Sequence, residues 1–351
     1  MSNLPKVAVV IIHWNRRSLL EQFLPFLVQS TYPNLEIVVA DNNSTDDSVE
    51  WVKQHYPQVS IVQNEDNYGY AGGYNHALKK VFADYYVLLN NDIEVTPGWL
   101  EPVITYLEQN PTVGAAQPKM IDYKKRNTFE YAGACGGYMD TLGYAFCRGR
   151  IFEVLEEDHQ QYENTAHVFW STGACMFIRS NLFHSLNGFD EHFFAHMEEI
   201  DLCWRLQLAG YTCAVIPQSV VYHVGGGTLN KQSPQKTYLN FRNNLIMLTK
   251  NLPVSTLLWL IPMRSFLDLV SSIFFLLNGF PKYSLAVHQA HSDYFFKWRK
   301  WWKLRDKNLP KLSWRKLNGV YSGSIVREHF MNKVGKFSAL NPIKFKNLIT
   351  R

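Results

Sequence analysis

Four short apolar runs alternate with amphipathic segments through the first third of the chain, and this alternation constrains the fold more than any other feature. Residues 7–12, 36–40, 60–62 and 85–89 read as buried strands. Between and after them, residues 18–29, 47–55, 71–82 and 99–109 carry helical spacing. Ser44-Thr45-Asp46 supplies cap residues ahead of the second helix, and Thr96-Pro97 places a proline where the fourth can begin. Such alternation implies an α/β layer around a mostly parallel sheet, whose ligands lie beyond the carboxyl ends of the strands. The unusual polar residues fall at those ends. His13-Trp14-Asn15 follows the first strand, Asp41-Asn42-Asn43 the second, and Asn90-Asn91-Asp92 the fourth. Three polar clusters at strand ends describe a pocket.

The remainder is organised differently. Residues 114–227 mix glycine-rich turns with strands expected at 174–178 and 213–221 and a helix at 198–209. A connecting helix is expected at 238–252, so a division near 237 separates a catalytic domain (1–237) from a C-terminal region (238–351). With 46% hydrophobic and 15% aromatic residues in 351, disorder is excluded as the main state. Five scattered cysteines without CxxC spacing argue against a disulfide framework or a structural zinc site. The apolar run between Lys6 and His13 is too short for a signal sequence, and the expected location is cytoplasmic.

Charge is distributed unevenly. Residues 1–281 hold 19 Lys/Arg against 27 Asp/Glu, net −8; residues 282–316 hold 10 against 2, and 317–351 hold 6 against 1, together net +13. The basic part reads WRKWWKLRDKNLPKLSWRK from Trp298, and the strongly apolar segment 254–277 precedes it. Cations interleaved with tryptophan suit a membrane interface or a nucleic acid, but no nucleic-acid module motif occurs. Arg264 and Asp268 interrupt the apolar segment near its middle, which favours a helix lying at the inner face of an anionic membrane over one that spans it. Helices packed on the catalytic domain are the alternative, with the (i, i+4) Arg–Asp pair buried between them.

The pocket's chemistry can be narrowed. Neither G-x-G-x-x-G after the first strand nor a P-loop is present. Glycines cluster instead in Asn67-Tyr68-Gly69-Tyr70-Ala71-Gly72-Gly73, opening the third helix, where backbone can approach a phosphate; a plain turn reads the same way. Asn90-Asn91-Asp92 offers a carboxylate for a hard divalent cation on a diphosphate, or forms an Asx-rich turn. His223 ends the run VVYH, as a ligand or as a structural histidine, and is followed by Gly225-Gly226-Gly227. His192 and His196 are four apart, yet H-E-x-x-H is absent. Glu198, Glu199 and Asp201 crowd three carboxylates into four residues beside aromatics. Glu198 and Asp201 share a helix face, Glu199 points about 100° away, and Asp201 can reach Arg205. Crowding raises carboxyl pKa values, which suits a general base; acids favoured by a helix dipole explain the same residues.

Together these fragments resemble family 2 glycosyltransferases with the GT-A fold, especially rhamnosyltransferase-like members. The resemblance rests on VVIIHWNR, VVADNNSTDDS, NYGYAGGYNHAL, YVLLNNDIEV, WSTGACMFIRS, GFDEHFFAHMEEIDLCWRLQLAGY and VVYHVGGGT, in the family's order over residues 6–250, with YSGSIVREHFMNKVGKF from Tyr321 resembling the tail of that branch. It implies a Rossmann-like mixed sheet with flanking helices, and transfer of a sugar from a dTDP- or UDP-linked donor to a glycan or polyprenyl-linked acceptor in bacterial polysaccharide synthesis. By the same resemblance Asn15, Asp41, Asn43, Asn67, Gly73 and Asn91 hold the donor, Asp92 and His223 ligate Mg2+ or Mn2+, and Glu199 is the base, flanked by Glu198 and Asp201. Trp204 and Trp170 would shape the acceptor side. The family's DxD reads Asn90-Asn91-Asp92 here, and its ED reads Glu198-Glu199. A nucleotidyltransferase would need a basic glycine-rich loop after the first strand, and a non-catalytic glycan-binding module would lose the acidic cluster.

Overall fold

The computed structural model describes residues 4–225 and 233–345. The chain begins β1 (Val7–His13), α1 (Arg17–Val28), β2 (Leu35–Asp41), α2 (Ser48–His55), β3 (Ser60–Gln63), α3 (Gly69–Ala77), β4 (Tyr85–Asn90), β5 (Ile93–Val95), α4 (Leu100–Gln109) and β6 (Val113–Asp122). Short strands β7 (Gly137–Asp140), β8 (Ala145–Cys147), β9 (Arg150–Ile151) and β10 (Val154–Leu155) follow. Next come β11 (Ala166–Val168), β12 (Cys175–Arg179), α5 (Ser180–Ser185), α6 (Glu198–Leu208) and β13 (Thr212–His223). Helices α7 (Pro234–Asn251), α8 (Val254–Leu277), α9 (Pro281–Phe296) and α10 (Trp298–Lys303) precede the two-residue β14 (Val320–Tyr321).

Val7, Ala8, Val9 and Val10 are wholly buried, as expected of a central strand covered on both faces. The main sheet runs β11-β13-β6-β12-β4-β1-β2-β3, with β5 paired to β13. Strands β3, β2, β1 and β4 are parallel. β12, however, lies antiparallel between β4 and β6, so the sheet is mixed rather than mostly parallel. A strand buried on both faces reads as the same apolar run in either direction, which is why the sequence is silent on this reversal. The parallel register pairs His13 with Asp41 and Ile12 with Asn90, so three polar strand ends stand in one row. At about 4.8 Å between strands, that row spans about 10 Å.

Helix α3 begins at Gly69, earlier than expected, and ends at Ala77; a single 3₁₀ turn, Leu78–Lys80, leads to extended Val81. A second, small sheet runs β10-β9-β8-β7-β14, and its last strand comes from the C-terminal tail. Asp140 accepts Ile325 N–H at 2.8 Å, and Glu156 accepts Phe337 N–H at 2.7 Å, fixing the tail to that sheet. Residue 237 falls in the first turn of α7, which Ser233 caps through Lys236 N–H at 3.1 Å. The residues on either side of it share one hydrophobic core.

Helix α8 buries one stripe, Leu257, Leu260, Arg264, Asp268 and Ser272. The charges that interrupt the apolar segment lie on this inner face. Arg264 pairs with Asp268 at 3.3 Å, whose other oxygen meets His291 of α9 at 3.0 Å. Ser272 meets Ser284 at 2.8 Å, continuing a polar ladder between α8 and α9. The outer face exposes Leu258, Trp259, Phe266, Val270, Phe274 and Leu277. By length and composition α8 is the one helix among the described residues able to cross a membrane.

Candidate active site at the carboxyl ends of β1, β2 and β4

The loops after β1 and β2 are stitched together. Asn15, in the left-handed region with φ 53°, donates its N–H to Ser44 Oγ at 2.8 Å and accepts Thr45 N–H at 2.8 Å. Both oxygens of buried Asp41 lie 3.2 Å from Ser44 N. Asn43, also left-handed at φ 62°, stands exposed. Asparagine tolerates this conformation better than other side chains with a Cβ. His13 is buried, and its Nδ1 lies 3.0 Å from Asn91 Nδ2. With the amide assigned as donor, the imidazole proton sits on Nε2, which has no hydrogen-bond partner among the described residues. Burial depresses the His13 pKa although Asp41 and Asp46 lie near, so the ring is neutral.

The glycine-rich opening of α3 serves the fold rather than a phosphate. The N–H groups of Tyr70 and Ala71 donate to Phe194 O at 2.9 and 3.2 Å, so this helix N-terminus is capped from within. Gly69 has φ 70°, and a Cβ there would lie 2.6 Å from the Phe194 ring. A Cβ on Gly73 would lie 2.7 Å from Asn42 Nδ2 and from Ile12. Asn42 itself donates to Gly69 O at 2.8 Å and to Asn67 Oδ1 at 3.2 Å. Asn64 donates to Asn42 Oδ1 at 2.9 Å and Gly73 O at 3.0 Å. Asn67 and Gly73 therefore hold the loop lattice behind the strand ends.

Asp92 and His223 meet because β5 pairs with the end of β13, His223 opposite Ile93, with Val224 N–H on Asp92 O at 3.1 Å. His223 Nε2 lies 3.0 Å from Asp92 Oδ1, and its Nδ1 lies 3.1 Å from Glu130 Oε1. Burial disfavours the imidazolium, but Glu130 and Asp92 outweigh it and raise the pKa to about 10. His223 Nε2 thus shares a proton with Asp92 Oδ1, and once that proton is lost the pair offers one imidazole and one carboxylate, ligand types that a divalent cation on a diphosphate accepts. Glu130 faces the other ring nitrogen, on the side of His223 away from Asp92. It is fixed in turn by the N–H groups of Ala132 at 2.6 Å and Gly133 at 3.2 Å. No cluster of three or more His, Cys, Asp or Glu able to hold an ion occurs among the described residues. Gly226 and Gly227, which follow this strand, lie outside the described residues.

The acidic loop lies beside Gly173, where an added Cβ would come within 3.5 Å of Glu199 Cβ. Phe194, His196 and Met197 all have positive φ (63°, 70° and 76°), an accumulation of strain just before α6. Asn243 of α7, fully buried, holds them: its Nδ2 lies within 3.0 Å of the carbonyls of Phe193, Ala195 and His196. Glu199 opens onto a cavity of about 440 Å³ that Trp170 and His196 also line. Its Oε2 has no partner among the described residues, and burial pushes its pKa up to about 7. Buried Glu198 is raised further, by desolvation and then by the Glu199 charge. His196 is kept neutral, its pKa lowered to about 4 by burial and then by Lys236.

Two residues named with this cluster lie elsewhere. Asp201 is wholly buried, bonded by Arg205 Nε at 2.8 Å, Lys250 at 3.0 Å and Asn251 at 2.8 Å. It sits two residues beyond Glu199, about 200° around the helix, and faces away from the cavity. Trp204 is packed in the core, its ring centroid 5.2 Å from Phe169 and 5.0 Å from Trp314, so only Trp170 reaches the cavity. His192 pairs with Asp190 at 2.8 Å and forms no metal pair with His196. Glu130, Asn64 and Asn243 went unnoticed in the sequence because each acts through a loop distant along the chain.

Comparison with known proteins identifies the family and the fold. The family described as Glycosyl transferase family 2 matches residues 8–184. An N-acetylglucosaminyl-diphospho-decaprenol L-rhamnosyltransferase of Mycobacterium tuberculosis is 26% identical over 231 residues, 61% of this chain and 75% of that protein. The O-antigen biosynthesis protein RfbC of Myxococcus xanthus is 29% identical over 229 residues, 62% of this chain and 17% of that protein. Among solved structures, the mannosyltransferase PcManGT from Pyrobaculum calidifontis, in complex with GDP-Man and Mn2+, superposes with TM-score 0.51 at 16% identity, over 87% of this chain and 85% of that one. GalNAc-T7 with UDP, GalNAc and Mn2+ gives TM-score 0.57 at 16% identity, over 72% of this chain and 49% of that one. These likenesses establish the shared fold. A GT-A sheet, an acidic loop facing its strand ends and the match over residues 8–184 make the chain a member of the family 2 glycosyltransferases, similar to rhamnosyltransferases.

Proposed function

We propose that the protein is an inverting glycosyltransferase that moves a sugar, rhamnose being the first candidate, from a dTDP- or UDP-linked donor to a hydroxyl of a glycan or polyprenyl-linked acceptor in bacterial surface polysaccharide synthesis. The observation that carries this reading is Glu199, a carboxylate at a cavity wall with an unpartnered oxygen and a pKa near neutrality. Asn15, Asp41 and Asn43 bind the nucleoside at the row of strand ends, with Asn91 and neutral His13 beside the diphosphate. Asp92 and His223 hold Mg2+ or Mn2+, which supplies neutralisation of charge on the diphosphate. Glu199 Oε2 takes the proton of the acceptor hydroxyl while that oxygen bonds to the anomeric carbon. The bond from that carbon to the diphosphate oxygen breaks, its electron pair leaves with the nucleoside diphosphate, and one displacement on one face inverts the configuration. Glu198 keeps its proton and steadies the pair.

The C-terminal region (238–351) sets this catalytic part against the inner face of an anionic membrane. The exposed apolar face of α8, and exposed Trp298 and Trp302 of α10 with Lys297, Arg299, Lys300 and Lys303 beside them, have the chemistry of a bilayer interface. The test is nucleoside diphosphate release from a panel of sugar nucleotides with Mn2+ or Mg2+ and lipid-linked acceptors. Release from one donor, lost in Glu199→Gln while that variant still binds the donor, is expected. Equal turnover by Glu199→Gln would refute Glu199 as base, and no binding of any donor would refute glycosyl transfer.

A further inference from the structure

The cavity beside Glu199 gathers an unusual set of unsatisfied groups. Arg150 Nε, Arg264 Nε, His196 Nε2, Asn244 Oδ1 and Glu199 Oε2 are buried without a partner among the described residues, and all five residues line this one cavity. Buried polar atoms are normally paired, so their convergence marks a place where a ligand completes the hydrogen bonding. Two of the five belong to guanidinium groups. Arg150 forms no ion pair among the described residues; it donates to Phe152 O at 3.1 Å and lies over the Tyr131 ring at 4.4 Å. Arg264, 3% exposed, is shared between Asp268 at 3.3 Å and the Tyr144 ring at 3.7 Å. Arg150, a shielded cation without a carboxylate among the described residues, calls for an anion, and the guanidinium fork of either arginine matches phosphate. Lys236 lines the same cavity and adds a third positive charge.

Helix α8 supplies the second argument. Arg264 stands on its buried face and borders the cavity, whereas the opposite face carries exposed Leu258, Phe266 and Phe274. One helix therefore touches both the reaction cavity and the apolar outer surface. Resting on the reading of Glu199 as base, we infer that this cavity contains an anion subsite for the acceptor, in which Arg150 and Arg264 hold a phosphate or diphosphate ester attached to the acceptor sugar. The ester comes from a lipid-linked saccharide or from a soluble sugar phosphate.

The test uses full-length protein in EDTA, which disables metal-dependent donor binding, and compares two probes by calorimetry: citronellyl-diphospho-N-acetylglucosamine and the phosphate-free citronellyl N-acetylglucosaminide. The diphosphate probe is expected to bind at least tenfold more tightly. Arg150→Gln should weaken it about ten- to hundredfold, the effect of one charge-assisted hydrogen bond, and bring it towards the phosphate-free probe. Arg264→Lys keeps the charge facing Asp268 but loses the fork, and should weaken it less. Soluble N-acetylglucosamine 1-phosphate competing as well as the lipid probe assigns the ester to a sugar phosphate; failure to compete assigns it to a lipid. Equal binding of both probes by the wild type, or a preference that survives in both variants, overturns the subsite. Affinity for dTDP or UDP with Mn2+, measured alongside, separates the cases: if it is present the anion subsite alone fails, and if it is absent the glycosyltransferase reading fails too.

Discussion

Replacing Asp201 by asparagine separates the two roles available to an acid in this cluster. Asp201 is wholly buried between two cations, Arg205 at 2.8 Å and Lys250 at 3.0 Å, and Lys250 also pairs with Asp190 at 2.5 Å. Arg205 further donates to Leu186 O at 2.7 Å and Gly188 O at 2.8 Å, so it cannot swing out to water without breaking the turn before the acidic loop. Removing the anion leaves Arg205 without a carboxylate and Lys250 with Asp190 alone, and breaking a buried pair in this way typically costs about 3–5 kcal/mol. With an unfolding entropy of about 2.1 cal/mol/K per residue, or about 0.7 kcal/mol/K for a chain of this length, the melting temperature should fall by about 4–7 °C. Burial raises the Asp201 pKa, but Lys250 and Arg205 more than offset it, and the net value lies below the ordinary one. A depressed carboxyl pKa stabilises the fold above the unfolded value, and that stability is lost as pH falls through the folded value. The difference between wild type and Asp201→Asn should therefore be constant from pH 6 to 8 and shrink in acid. The assay is thermal unfolding across that range beside kcat at a temperature where both proteins are folded. A melting temperature unchanged at pH 7, with kcat lost as completely as in Glu199→Gln, would refute the structural role and make Asp201 the base.

Two further outcomes follow from the same geometry. A base must be ionised to accept a proton, and burial raises Glu199 to about 7, so kcat/KM should rise about tenfold per pH unit below 7 and level off above it; a flat profile from pH 5.5 to 8.5 would remove Glu199 from the reaction. Changing Arg299, Lys300 and Lys303 to glutamine removes three exposed cations at about 1 kcal/mol each and should weaken binding to anionic vesicles by about two orders of magnitude while sparing nucleoside diphosphate binding. Arg305 is left in place because it bonds Leu252 O at 2.8 Å, and unchanged vesicle sedimentation would end the membrane account.

The parallel half of the sheet was legible because β1, β2 and β4 are nearly continuous apolar runs, and their expected ends fell one residue short only because His13, Asp41 and Asn90 stay within the strands. The two- to four-residue strands β7–β10 were not legible, since so few residues carry no period, and β14 pairs with β7 across most of the chain. In the site, the polar strand ends do stand in one row, but residue type alone could not separate groups facing a cavity from groups facing the core. Trp204 illustrates this: it stands five residues beyond Glu199, about 140° around the helix, so nearness in sequence put it beside the acids and helical geometry took it away.

The same distinction explains why motifs far apart in sequence act together. The glycine-rich segment at 67–75 is attached to the acidic loop: Phe194 O takes the first free N–H groups of α3, and Gly69 has no Cβ because Phe194 occupies that space. From the other side Asn243 and Arg242 of α7 hold the carbonyls of residues 192–196, with Arg242 on His192 O at 2.9 Å. The loop with three left-handed residues is thus clamped between a helix of the sheet domain and a helix that leads to the exposed apolar surface. Glu199 owes its position to both clamps. A shift of α7 against the sheet would move Glu199 relative to Asp92 and His223, whose places are set by β4, β5 and β13. The exposed face of α8 is therefore connected to Glu199 through α7, while the row of strand ends is carried by the sheet alone.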